Sequence, residues 1–275
     1  MRLAQHPIAF QYDGTLDGLL CCVFAAFTQK RLPSALTAPT CAQFPLFPME
    51  VVETDPAHAR RVAKGIIGRI GQDMLEALGD SLLCARESAP LSALEMVALG
   101  FDIGPDIWGH VAMPCVHDLT GALKHLRGEA HLLTGFLRFR EVSGALIATI
   151  APKNRALPLL APHFIERFAM ESFLIYDEVH REILLHQGGN TGIFPVEDYA
   201  PPPMDESDEF AASLWQAYFK AVSIKQRENP KCQRGHMPKR YWAHMIEMSA
   251  QVCYNGEKQL GGNAHDSALS PQALP

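Results

Sequence analysis

Apolar residues follow a helical period close to the start of the chain. They recur every three or four positions, which predicts an amphipathic helix with one buried face; the positions are Leu16, Leu19, Leu20, Val23, Phe24 and Phe27. Thr15 is a suitable N-cap, because its hydroxyl can accept a hydrogen bond from the first turn. The helix should end before Pro33. A short strand is predicted before it, at residues 8–12.

The pattern becomes less regular between residues 33 and 133. Residues 33–49 are rich in proline and are predicted to be a loop, and residues 50–54 a short strand. Asp55 followed by Pro56 is typical of a helix start, and one helical region is predicted from there to about Ala85. Further helices are predicted at residues 90–100 and 118–133, whereas residues 101–115 follow neither period.

Alternating and helical patterns mix in the second half of the chain. Ser143-Gly144 is typical of a hairpin turn and predicts two strands around it. A helix is expected over residues 157–168, a second hairpin at residues 173–177 and 182–187, and a short strand at 192–196. This mixture predicts an α+β fold with β-hairpins and several helices.

An acidic, proline-rich segment divides the chain at residues 197–209. It is predicted to be a linker between an α+β body at residues 1–196 and a helical, basic C-terminal segment at 210–248. That segment begins with apolar residues at helical spacing, including Phe210, Leu214 and Tyr218, and is expected to pack back onto the body. Residues 249–275 are predicted to be a disordered tail.

Composition and net charge limit the classes of protein to which this chain can belong. The chain has 275 residues and a formal net charge of -6, and no apolar run is long enough to span a membrane. The N-terminus lacks the hydrophobic region of a signal peptide, so a cytoplasmic location without membrane contact is predicted. The 7 cysteines include no C-x-x-C pair, which argues against a disulfide framework or a zinc ribbon.

Positive charge is concentrated near the C-terminus. Residues 220–242 carry a net charge of +6, while the rest of the chain carries -12. Basic side chains with neighbouring aromatic rings are typical of surfaces that bind nucleic-acid phosphates and bases. The predicted nucleic-acid-binding residues are Lys220, Lys225, Arg227, Lys231, Arg234, His236, Lys239, Arg240, Tyr241 and Trp242. In the alternative interpretation, the charges dock on the acidic linker or body and the two aromatics fill the core.

Metal and catalytic sites have weaker signals. Cys232 and His236 are four residues apart, but no second ligand pair completes a zinc site, and no metal or cofactor is predicted. His163 and Arg167 would share a helical face and could bind one anionic group. With Asp177 and His236 they are the candidate catalytic residues, and the alternative is an internal ion-pair network.

Several segments together resemble a known bacterial family. They read YDGTLDGLLCCVFAAF, GEAHLLTGFLRFRE, LPLLAPHFIERF, FLIYDEVHRE and WQAYFKAVSIKQRENPKCQRGHMPKRYW. The chain resembles uncharacterised proteins assigned to DNA metabolism or DNA repair. Members of that family occur alone or fused ahead of a uracil-DNA glycosylase domain, and are encoded beside a radical S-adenosylmethionine (SAM) protein. Besides residues already named, the motifs include Tyr12, Asp13, Gly14, Glu129, His131, Tyr176, Asn229 and Gln233.

The resemblance implies binding partners for the protein, but it does not imply a reaction mechanism. It implies DNA, the radical SAM protein and a separate uracil-DNA glycosylase as partners. The leading hypothesis is a DNA-binding accessory protein of DNA repair. A nucleic-acid-processing enzyme, such as a nuclease or a base-processing enzyme, and a protein-interaction module remain as alternatives.

Overall fold

A computed structural model describes residues 3–39 and 47–248 of the chain. Helices and two separate β-sheets alternate along it, so the predicted α+β class is confirmed. The contacts divide the chain into two units. Unit 1 comprises residues 1–131 and 152–160, and unit 2 comprises 132–151 and 161–275. The predicted division into body, linker and C-terminal segment stays a prediction, and the predicted disordered tail lies outside the described residues.

A three-stranded parallel sheet lies at the start of unit 1. Its strand order is β2-β1-β3, with β1 at Ala4–Gln11, β2 at Arg31–Thr37 and β3 at Met49–Val51. Helix α1, Leu16–Gln29, connects β1 to β2 and begins at Thr15, whose side chain accepts a hydrogen bond from the Gly18 amide as predicted.

Strand β2 corrects the loop predicted for residues 33–49. It contains Pro33, which argued against a strand because proline donates no backbone hydrogen bond. Among the described residues, β2 is an edge strand of the sheet and pairs only with β1. Proline is tolerated at such an edge, because one side of the strand has no partner strand to bond.

Three helices follow where the sequence predicted two helical regions. The region predicted to run from Asp55 to about Ala85 is two helices, α2 at Pro56–Arg69 and α3 at Gln72–Ser81. They are separated at Gly71, whose φ of 130° is accessible to glycine and strained for other residues. Helix α4 covers Ala89–Ile103, and the unassigned stretch after it contains a 3-10 turn at Pro105–Gly109.

The long helix α5 covers Pro114–Phe136 and begins four residues before the predicted start. One of its residues, Glu129, contacts the later segment of unit 1 at residues 152–160. Glu129 is 2% exposed. Its carboxylate accepts hydrogen bonds from the backbone amides of Lys153 and Asn154 and from the Asn154 side-chain amide, at 2.6–3.1 Å. Asn154 Oδ1 in turn accepts from the Ala85 amide at 2.8 Å. The Glu129 carboxylate and the Asn154 side chain therefore both help to fix residues 152–160 to the earlier part of unit 1.

Unit 2 contains a five-stranded sheet in the order β4-β5-β6-β7-β8. The strands are β4 at Arg140–Val142, β5 at Ala145–Ile150, β6 at Ser172–Asp177, β7 at Glu182–Gln187 and β8 at Asn190–Pro195. Both predicted hairpins are present, and Ser143 and Gly144 have φ of 51° and 81° in the first turn. Only β5 and β6 pair in parallel, and helix α6, Leu157–Arg167, lies between them in the chain.

The last part of unit 2 is helical. Helix α7 covers Glu206–Val222 and begins with a capping box formed by Asp205 and Asp208. A 3-10 turn at Lys225–Arg227, the short helix α8 at Pro230–His236 and a 3-10 turn at Lys239–His244 complete the segment. The predicted helix thus exists, but no residue of α7 is buried. The buried apolar residues of this segment lie in its last part; they are Tyr241, Trp242, Met245 and Met248.

Candidate nucleic-acid interface

A groove of about 910 Å³ lies between α7, α8 and the two 3-10 turns beside them. Its walls combine apolar side chains, among them Phe219, Ile224 and Trp242, with charged ones. We call its four basic residues the groove cations; they are Lys220, Arg227, Arg234 and Lys239. They come from one helix, one short helix and two turns, so only the folded chain gathers them along one groove.

The groove cations are available for an anionic ligand. All four are exposed. In the part of the chain that the structure describes, none of them forms an ion pair with an acidic side chain. Of the two acidic residues in the lining, Glu228 and Glu247, the second is neutralised by Arg138. The groove therefore keeps an excess of positive charge.

Two of the six other predicted binding residues are also exposed. Lys231 and His236 lie on α8 and face solvent. Arg240 is half-buried, with its guanidinium 4.5 Å from the Tyr241 ring. The Lys225 side chain lies outside the described structure.

Tyr241 and Trp242 are the exception, because their rings are buried at 4% and 5% exposure. Tyr241 packs on Phe136 with ring centroids 5.4 Å apart, and Trp242 Nε1 donates to the Met237 carbonyl at 3.0 Å. The two rings thus fill the core of unit 2, as in the alternative interpretation, and are not open faces for stacking bases. Lys239 Nζ lies 5.7 Å from the Trp242 ring centroid. The buried ring therefore stabilises this groove cation by a cation–π interaction.

Glu247 anchors one wall of the groove. Its carboxylate accepts from the Arg138 guanidinium at 2.6 Å and from Trp215 Nε1 at 3.0 Å. Burial by itself raises the pKa of Glu247, but the hydrogen bonds from Arg138 and Trp215 outweigh it and hold the pKa below its ordinary value. Sequence reasoning missed this contact, because Arg138 and Glu247 are 109 residues apart and no local pattern joins them.

The candidate catalytic residues do not form a site. Asp177 is fully buried, and its carboxylate accepts from the amides of Val179 and His180 and lies 2.7 Å from His180 Nδ1. It therefore fixes the turn between β6 and β7. His163 and Arg167 are exposed on α6 and contact Phe164 and Phe168. Across residues 3–39 and 47–248, no described hydrogen bond, ion pair or ring contact joins Asp177, His163, Arg167 or His236 to one another.

The remaining motif positions shape the backbone. Asp13 Oδ1 accepts from the Thr15 amide and hydroxyl, and Oδ2 accepts from the Thr54 hydroxyl at 2.7 Å. Burial by itself raises the pKa of Asp13, and these hydrogen bonds outweigh it, so the pKa is lower than usual. A Cβ on Gly18 would lie 2.1 Å from Asp13 Oδ1, which explains the glycine there.

Other motif residues have equally local contacts. Gly14 adopts a φ of 83° after β1, and Tyr12 is buried beside it. Asn229 caps α8 by accepting from the Cys232 amide at 3.0 Å. Tyr176 packs edge-on against Tyr199. Gln233 lines the groove, and His131 is exposed on α5.

Two classes of site are not seen in the described residues. No cluster of three or more His, Cys, Asp or Glu side chains there could hold a metal ion. No helix of that part of the chain is both long and apolar enough to cross a membrane.

The comparisons with known proteins place the chain in a family. A domain of unknown function, DUF4130, matches residues 87–247, which is more than half of the chain and includes the whole groove. A search of curated proteins finds no significant match. The chain therefore belongs to the DUF4130 family.

Proposed function

We propose that the groove between α7 and α8 binds the phosphate backbone of a nucleic acid. The observation that carries this proposal is the set of four exposed groove cations, none of which pairs with an acidic side chain among the described residues. Lysine and arginine release condensed counterions when they meet phosphates, and this release drives binding. Because the chain as a whole is acidic, attraction depends on this one segment and the rest of the surface repels the polyanion.

The lining of the groove also indicates whether the bound nucleic acid is an intact duplex or has unstacked bases. Its apolar wall, which includes Phe219 and Ile224, suits a chain whose bases are not stacked in a duplex. A single strand or a distorted site offers such bases, whereas an intact duplex presents mainly phosphates. Single-stranded or damaged DNA is therefore the proposed ligand, bound through phosphates by the groove cations and through base faces by the apolar wall.

A place in DNA repair is part of the proposal and rests on the resemblance of the sequence motifs. The protein would act as a DNA-binding accessory of a radical SAM protein, with a separate uracil-DNA glycosylase as a further partner. Co-purification with the radical SAM protein that persists after nuclease treatment would support a direct contact. Loss of co-purification after that treatment would contradict it.

Binding to DNA oligonucleotides at several salt concentrations tests the groove. The triple variant R227A/R234A/K239A should bind about 100-fold more weakly near 0.1 M salt, and its salt slope should fall by about 2. The matched control is R60A/R61A/K64A, which removes two arginines and one lysine from exposed positions of α2. Equal affinity and slope in the two variants would contradict the proposed interface, provided both unfold like the wild type.

A further inference from the structure

A second cavity of unit 2 lies between α7 and the β4–β5 hairpin; we call it the side cavity. Its volume is about 1020 Å³, close to the upper limit of the range of about 300–1,000 Å³ that is typical of small-molecule sites. Its lining includes Ala211 and Ala212 of α7, and Ile147 and Thr149 of β5. All of its lining residues belong to unit 2, so one folding unit forms it.

A short side chain on the inner side of α7 leaves this space. Ala212 is one helical turn from Asp208 and one turn from Gln216, so the three residues lie on the same side of the helix. Asp208 accepts a hydrogen bond from Arg140 at 3.0 Å, and Gln216 Nε2 donates to the Ile246 carbonyl at 3.0 Å. These contacts fix the helix, whereas the methyl group of Ala212 does not reach the strands. The polar contacts of α7 therefore keep the side cavity open.

The floor of the side cavity is one face of the β4–β5 hairpin. Arg140 is directly opposite Ile147, and Thr149 follows two residues later, so the three side chains point to the same face. The bond from Arg140 to Asp208 shows that α7 covers this face. Among the described residues, the Thr149 hydroxyl and Gln216 Oε1 have no hydrogen-bond partner. Both are therefore available to a ligand.

The side cavity is electrically balanced, in contrast to the groove. Its lining contains two arginines, Arg138 and Arg140, and two carboxylates, those of Glu141 and Asp208. Arg138 is paired with Glu247 at 2.6 Å, and Arg140 is paired with Asp208 at 3.0 Å. A phosphate therefore gains little charge attraction here, and a neutral group with a few polar atoms is the better match.

The side cavity adjoins the groove. Gln216 lines both of them, and Trp242 of the groove is followed in sequence by Ala243 of the side cavity. The groove cation Lys220 comes four residues after Gln216, a rise of about 6 Å along α7. A strand whose phosphate binds Lys220 therefore has a nucleotide within reach of the side cavity.

We propose that the side cavity receives a base that is turned out of the strand bound in the groove. This inference rests on the proposed nucleic-acid binding. A base is neutral and flat, and it could contact the rings of Trp215 and Phe139 in the lining and bond Thr149 and Gln216. Sites for extruded bases combine stacking with hydrogen bonds in this way. The substrate class that follows is DNA with an unpaired or mismatched base, because such a base leaves the stack at the lowest cost.

Two single strands of equal length, one normal and one in which every nucleotide lacks its base, test the side cavity. The wild type should bind the normal strand about tenfold more tightly, because only that strand offers bases to stack. A212F fills the cavity, so it should lose this preference and keep its affinity for the strand without bases. A221F is the matched control, because Ala221 is exposed and lies on the opposite side of α7 from Ala212.

T149V keeps the test decisive if A212F does not fold like the wild type. It removes one hydroxyl and should weaken binding of the normal strand about threefold to tenfold, with no effect on the strand without bases. If the preference for bases persists in a folded A212F, or in T149V when A212F does not fold, the bases do not enter the side cavity and the inference is overturned.

A mismatched duplex tests the substrate class. The wild type should bind a duplex with one mismatched pair about tenfold more tightly than the matched duplex, and A212F should bind the two equally. Equal binding by the wild type would overturn the proposed class. The groove is tested separately by the strand without bases: if R227A/R234A/K239A binds that strand as tightly as the wild type, the groove proposal itself fails.

Discussion

At the scale of single residues, three buried carboxylates either join distant segments or fix a local turn. Glu129 fixes residues 152–160, Asp177 fixes a turn, and Glu247 joins Arg138 and Trp215. Each of them has the residue type of a catalytic group but uses its hydrogen-bonding capacity internally. Their role is in stability, and their substitution should affect unfolding before it affects any binding.

Replacing Glu129 by alanine should lower the free energy of unfolding by about 2–4 kcal/mol. The variant leaves two backbone amides and the Asn154 side chain without their buried acceptor, and such unsatisfied groups are costly. Urea unfolding at pH 7 measures the change. K124A, at an exposed position of the same helix, is the control. A loss below about 0.5 kcal/mol, typical of surface substitutions, would contradict a structural role for Glu129.

The stability that Glu247 contributes should depend on pH. Its pKa is lowered in the folded protein, so its contribution is fully present above the ordinary pKa of about 4.3 and is lost as pH falls through the folded value. E247Q should therefore be less stable than the wild type by about 2–4 kcal/mol at pH 7, and the difference should shrink below pH of about 4. Urea unfolding of both proteins from pH 7 to pH 3 tests this. A difference that stays constant over that range would show that ionisation of Glu247 does not contribute.

At the scale of elements, the sequence predicts where helices exist better than where they break. Gly71 ends α2 and lets α3 start in a new direction, through a φ of 130° and a ψ of 165°. Apolar periodicity continues across this point, so one long helical region was predicted. The break depends on a single backbone conformation that other residues adopt only with strain.

G71A and G68A should have opposite effects on stability. An added Cβ meets no atom within 4 Å at either position, so the backbone alone decides the outcome. G71A should destabilise the protein by about 1–3 kcal/mol, because its φ is unfavourable for alanine. G68A lies inside α2 and should stabilise it by about 0.5–1 kcal/mol. Thermal unfolding of both variants gives the signs, and equal signs would contradict a special role for Gly71.

Helix α7 shows a second limit of sequence patterns. Its apolar stripe is correctly predicted by periodicity, yet Phe210, Leu214 and Tyr218 face solvent. Periodicity identifies an apolar face but not the surface that covers it. In the same way, the basic stretch is recognisable from charge alone, whereas the burial of Tyr241 and Trp242 depends on contacts such as that with Phe136, which lies about 100 residues earlier in the chain.

At the scale of the whole molecule, the family match and the folding units have different boundaries. The match begins at residue 87, just before α4. Helix α4 belongs to unit 1, and its buried residues, such as Met96 and Val97, pack in a core with residues of α1, α2 and α3. The matched region thus contains all of α4 but not α1, α2 and α3, which cover part of it.

A fragment of residues 87–247 should therefore not fold cooperatively. It exposes the apolar face of α4, whose buried positions lose the contacts of residues 3–86. We expect dye binding typical of exposed apolar surface and a broad urea transition, whereas a fragment of residues 3–248 should unfold sharply. A sharp transition of the shorter fragment would show that the family match is an independent folding domain.

The contact between Glu129 and Asn154 also has a consequence during protein synthesis. Asn154 is made 25 residues after Glu129, a delay of about 1–5 s at synthesis rates of roughly 5–20 residues per second. Strands β4 and β5 of unit 2 are synthesised in that interval. The ribosome therefore delivers the first hairpin of unit 2 before the last segment of unit 1. Unit 1 therefore cannot be completed during synthesis before the first hairpin of unit 2 has been made.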